Sequence, residues 1–226
     1  MVIGKTAQVL SCTINNIPLS QVTSCRNLGV TFNSDLNPSD HINDIVVRAH
    51  KRANLIHRCF TSREVTLLVR AFLTYVRPLV EHNCVIWSPS RKCDIIAIEN
   101  VQRKFTKRLP GFSEYSYSHR LSLLEIHSRE LRRLRFDLIY CYKIIFGHTG
   151  IQCTDLFELR SDYGTRGHQY KIFKHHCTCT ARSSFFSERV VDIWNTLPPS
   201  KVDFSSLVKF KRSLKLLDLS QYLVCT

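Results

Sequence analysis

The stretch "IENVQRKFTKRLPGF", residues 98–112, places Arg103, Lys104, Lys107 and Arg108 within six positions. At about 100° per residue these cations cover roughly 140° of a helix, and Ile98, Val101, Phe105 and Leu109 fall on the opposite arc. A helix divided in this way buries one side and offers the other to a polyanion. Basic helix faces neutralise phosphates by releasing counterions, without reading sequence. A merely solvated face is the plain alternative for a single helix. Two further segments repeat the design, one with Arg48, Lys51 and Arg52 and one with Arg132, Arg133 and Arg135. The chain as a whole carries 32 Lys+Arg against 18 Asp+Glu, a formal net charge of +14. That excess suits nucleic acid or an anionic membrane surface.

Groups for bond-breaking chemistry are sparser. Two-metal phosphoryl transfer needs carboxylates gathered around ions about 4 Å apart, and no DD, DxD or ExD cluster stands at a strand turn. Asp35 and Asp40 flank a turn before a helix, where capping is the ordinary role of Asp. His175, His176, Cys177 and Cys179, with Cys153 at a distance, form the one zinc candidate. Zinc ligands ordinarily come as two closely spaced pairs. Here the second pair is lacking, and a solvent-facing basic loop fits better. Neither a GxSxG elbow nor a phosphate loop occurs. No catalytic residue and no metal ligand is therefore assigned.

The elements that must position the cations follow from periodicity. Residues 7–33 are rich in Val, Ile, Thr and Phe and read as short strands, with Asn15-Asn16 as a turn and Gly29 as a bulge or close backbone approach. Pro38-Ser39-Asp40 starts a helix whose stripe is Ile42, Val46, Ala49, Ala53 and Ile56. A second helix begins near Ser62 with Val65, Leu68, Val69, Phe72, Val76 and Leu79 on one face, and Pro78 ends or kinks it. A third runs over about 94–109 and stops at Pro110-Gly111. A fourth spans "EIHSRELRRLRFDLIYCYKIIFG", with Leu131, Leu134, Leu138 and Ile145 as its apolar face and its arginines outside. Residues 150–182 read as loop-rich. A short helix, a Leu197-Pro198-Pro199 turn and a terminal helix follow. The expected fold is α+β and mostly helical. A small N-terminal β region (1–36) packs on a helical bundle (37–149), with a looser helical region (150–226) after it.

The 226 residues suffice for one large or two small domains. No run reaches the roughly 18–20 apolar residues of a transmembrane helix, and no signal-peptide core is visible. The ten cysteines are scattered along the sequence. Together these features predict an intracellular protein, nuclear or cytoplasmic, with reduced thiols and no membrane partner.

The order of segments resembles non-LTR (LINE-type) retrotransposon reverse transcriptases, closest to jockey and chicken-repeat-like clades. "CRNLGVTFNSDLNPSDHI" is similar to the family's L-G-V segment through Leu28, Gly29, Val30, Leu36, His41 and Ile42. "AFLTYVRPLVEHNCVIWSP" resembles its Y-V-R-P stretch through Tyr75, Val76, Arg77, Pro78, Glu81, Trp87 and Pro89, with His82 in place of the usual aromatic. "IENVQRKFTKRLPG", "YSHRLSLLEIHSRELRRLRFDLIYCYKIIFG" and "FFSERVVDIWNTLP" followed by "FKRSL" continue the family's order. The likeness spans residues 1–217 or so.

The resemblance implies a palm edge at 1–36, a thumb-like bundle at 37–149 and a C-terminal region beyond. It puts Leu28, Gly29 and Val30 near the primer terminus. The ten basic residues named above would hold an RNA or DNA template–primer duplex. The family's F/Y-x-D-D carboxylates have no counterpart in these residues. The resemblance therefore implies a truncated reverse-transcriptase-like protein that binds without extending. Magnesium would belong to the palm, leaving no cofactor here. The alternatives are the C-terminal part of an active RNA-directed DNA polymerase with its palm encoded upstream, a protein-interaction module, or a non-functional transposon remnant. Oligomeric state is left open.

Overall fold

A computed structural model describes residues 1–3, 12–160 and 167–225. The strand expected over 7–11 lies outside the described residues. Two antiparallel hairpins open the fold: β1 (Thr13–Ile14) with β2 (Ile17–Pro18), and β3 (Ser24–Asn27) with β4 (Val30–Asn33). Asn15-Asn16 and Leu28-Gly29 turn them, each residue at positive φ. This is the pairing that matches the right-handed twist of two short strands. A Cβ on Gly29, at φ +85°, would also stand 3.4 Å from His82 Nε2. The contact itself is an ordinary one; it is the left-handed backbone of the turn that favours glycine there.

The body is helical: α1 (Ser39–Cys59), α2 (Val65–Tyr75), a 3₁₀ turn (Arg77–Val80), α3 (Cys84–Trp87), α4 (Lys92–Lys107), α5 (Tyr117–Leu123) and α6 (Arg129–Ile145). The fold class is the expected one, α+β and mostly helical, with β4 docked on α1. Pro38 precedes α1, and the Asn37 side chain accepts from the Ser39 N–H at 3.1 Å. Pro110 and Gly111, the latter at φ +78°, follow the end of α4. Ile42, Ala49, Ala53 and Ile56 are buried as expected, joined by Ile45 where Val46 is only half-buried. They meet Leu68, Phe72, Ile98, Val101 and Phe105 in a first core, where Phe72 stacks on Phe105 at 4.4 Å.

The described residues beyond 149 are irregular and carry short helices. They contain α7 (Cys153–Leu156), α8 (Thr180–Ser184), α9 (Phe186–Arg189), α10 (Val191–Asn195) and α11 (Leu207–Leu216). Trp194 and Phe210 are completely buried in a second core. Asn195 clips this core by exchanging two hydrogen bonds with the Ile172 backbone, at 2.8 and 2.9 Å. The partition at 149/150 does not divide the cores, because Leu134, Leu138, Cys141 and Tyr142 of α6 belong to the second one. α6 packs against α3 and α4 on one side and α11 on the other. That placement corrects the expectation that the arginines of α6 lie outside: Leu134 and Leu138 are buried as expected, but Arg129 and Arg133 are buried with them, and of its cations only Arg132, Arg135 and Lys143 stay partly exposed.

Candidate nucleic-acid interface

α4 divides as its spacing requires. Val101, Phe105 and Leu109 are buried, together with Gln102 and Thr106, while Arg103, Lys104, Lys107 and Arg108 are exposed. Its two carboxylates, Asp94 and Glu99, are both buried, so every charge on its exposed side is a cation, with Lys92 at its start. Two stripes result. Lys104 and Arg108 lean toward α1, where Arg108 donates to Asn54 Oδ1 at 2.6 Å. Burial lowers the pKa of His50 and His57 on α1, and the next cause is the charge of Lys104 and of Arg108 respectively. The Arg103 and Lys107 stripe faces α5, with the Arg103 guanidinium 4.8 Å from the Tyr117 ring centroid.

α1 contributes unevenly. Lys51 is exposed and has no ion pair among the described residues, and Arg58, outside the expected set, is exposed on the same stripe. Arg48 is held by Asp44 one turn earlier, at 2.6 Å. Arg52 donates to the Tyr75 carbonyl at the end of α2, at 3.2 Å. Lys51 and Arg58 on α1 and Arg103, Lys104, Lys107 and Arg108 on α4 are therefore exposed cations of this packed helix pair.

The α6 cations lie elsewhere. Arg133, expected to face phosphate, is only 3 % exposed and is surrounded by Glu99, Glu130, Asp137 and Cys84. Arg132 grips Glu81 through Nε at 2.5 Å and a terminal nitrogen at 2.9 Å. Arg135 donates to the Lys215 carbonyl at 3.2 Å. Arg129, expected outside with the other arginines of this helix, is 1 % exposed and also bonds Glu81, at 2.8 Å. Burial pulls Arg129 down to about 10, against the opposing pull of Glu81, so it stays cationic at neutral pH. Burial raises the Asp137 carboxyl, and a two-point pair with Arg189 at 2.8 and 2.9 Å draws it back. Glu99 accepts the Arg129 N–H at 2.9 Å and the Glu130 N–H at 3.2 Å, where a carboxylate complements the positive end of α6. It also accepts the Tyr117 hydroxyl. Arg129 and Arg133 are thus enclosed, whereas Arg132 and Arg135 are half-buried and engaged by Glu81 and the Lys215 carbonyl.

The primer-proximal trio is separated as well. Leu28 projects from the hairpin tip at 83 % exposure, Gly29 contacts His82, and Val30 is buried in the first core. Among the described residues no three His, Cys, Asp or Glu side chains converge where a metal could sit. His175 instead pairs with Glu158 at 3.3 Å. No helix of the described residues is long and apolar enough to cross a membrane. The cysteines are free thiols. Neither a protein-family model, nor a curated protein, nor a solved structure matches this chain.

Proposed function

We propose that this protein holds a nucleic-acid duplex on the exposed cations of α1 and α4, gripping phosphates and not base edges. One observation carries the reading: the exposed side of α4 presents Arg103, Lys104, Lys107 and Arg108 without a carboxylate, and Lys51 and Arg58 continue it on the neighbouring helix. Exposed cations at helical spacing recruit phosphate through counterion release. The resemblance to non-LTR reverse transcriptases gives the duplex a specific form, RNA–DNA template–primer, with this chain as a holding part and not the site of primer extension. Its partners are then RNA and DNA and its place is inside the cell, in nucleus or cytoplasm.

The test is fluorescence polarisation of an RNA–DNA duplex with the full chain over a salt series. Affinity should fall linearly on a log–log plot. Changing Arg103, Lys104, Lys107 and Arg108 together to Gln should reduce the slope by about 3–4, near 0.9 per phosphate contact. Binding without a salt slope, or none near physiological salt, would sink the proposal.

A further inference from the structure

Beside the outer stripe of α4 lies a cleft of about 680 Å³ between α5 and the start of α6. Its volume falls within the range of sites that seat small heterocycles. Leu121, Ile126 and Leu131 supply apolar walls, with the Tyr117 ring beside them. Ser118 and Ser122 supply hydroxyls, and Glu125 a carboxylate. His127 lines it too; burial lowers its pKa, and Arg135, Arg132, Arg129 and Lys215 lower it further. A neutral imidazole offers one donor and one acceptor, as a heterocycle edge requires.

Arg103 belongs both to this wall and to the cationic stripe, one helical turn from Lys107. A strand whose phosphates follow that stripe thus passes the mouth of the cleft. The Glu125 carboxylate disfavours a phosphate inside, whereas a flat uncharged ring meets apolar walls and hydrogen-bonding groups. We infer that the cleft receives one unpaired nucleobase from the end of the bound duplex, its phosphate remaining on Arg103. This rests on the duplex-binding reading above and adds an end-recognition site to it. A stacked or enclosed base contributes affinity with little regard to its identity.

The experiment compares three RNA–DNA duplexes on the full chain by fluorescence polarisation at one salt concentration: blunt, extended by one unpaired nucleotide at either end, and extended by an abasic residue. The single-nucleotide extension should bind roughly tenfold tighter than the blunt duplex at one of its ends, in keeping with base-stacking contributions. The abasic extension should match the blunt duplex. Ser122→Trp fills the cleft from the exposed side of α5 and should erase the gain while leaving blunt-duplex affinity unchanged. Equal affinity for all three duplexes would overturn the base site and leave duplex binding standing. An abasic extension as tight as the full nucleotide would overturn it also, and so would a gain that survives Ser122→Trp. Absence of binding to every duplex would overturn both readings together.

Discussion

α4 and α6 look alike as sequence and do opposite things. Each carries clustered cations on one arc and aliphatic residues on another. α4 packs against α1, α5 and α6 yet leaves the arc of Lys104 and Lys107 exposed, and among the described residues neither has an ion pair. α6 lies between two cores, so Arg129 and Arg133 are buried and need carboxylates brought from other elements. Exposed ion pairs are worth little, whereas an orphaned buried charge is costly. The same residue type is thus open to solvent on one helix and a structural commitment on the other, according to what covers its arc.

The sharpest way to break this contrast is Glu81→Ala. It strips Arg129 and Arg132 of their shared carboxylate, and loss of one partner of a buried pair should cost about 3–5 kcal/mol. Urea denaturation reads it; a loss below ~0.5 kcal/mol would mean α6 behaves as a surface helix. Gly29→Ala should cost less, about 1–2 kcal/mol, from the left-handed backbone alone. Near-UV circular dichroism with thermal melts would show whether the β3–β4 hairpin stays docked beside His82.

Acid should discriminate next, with a smaller contribution from any one group. Burial lowers the pKa of His57 and of His168 below the usual 6.5. The unfolded chain therefore takes up protons first. Stability is full above 6.5 and declines as pH falls from there through the lower folded values. Denaturation midpoints measured from pH 8 to 5 should fall, and His57→Gln should soften the decline. A flat profile would show these imidazoles to be solvated. Smallest of all, Lys104→Gln should leave stability within ~0.5 kcal/mol, although it weakens duplex binding. A larger loss of stability would place Lys104 in the scaffold with Arg133 and erase the distinction between the two helices.

The legible part of the molecule is whatever one helix settles by itself. Pro38-Ser39-Asp40 starts α1, Pro110-Gly111 ends α4, and Asn15-Asn16 turns the first hairpin, all through local chemistry. The α4 partition follows because Val101, Phe105 and Leu109 have a single core to enter. Arg133 was illegible because periodicity marks an arc and says nothing of what covers it. The grip of Glu81 on Arg129 and Arg132 spans 48 and 51 residues of sequence, beyond any spacing rule. Yet a signal existed: Glu81, Glu99 and Asp137 are carboxylates set within apolar stripes, and such residues ordinarily have a cationic partner. Glu81, Glu99, Gln102, Arg129, Asp137, Arg189 and Asn195 all lie in hydrogen bonds within the molecule.

Glu130 accepts the backbone N–H groups of Val224 and Cys225 at 2.7 and 2.9 Å, and Asp137 waits for Arg189. On a ribosome, the α6 carboxylates therefore emerge long before the groups that neutralise or bond them. α1, α2 and α4 can assemble early from neighbouring segments. α6 has to pass through a stage with its charges half-answered, in which closing distant loops precedes their reward. Translation halted before residue 189 should leave a nascent chain with an organised first core and an unfinished sixth helix. That chain should be exposed to proteases along α6 and shielded along α1.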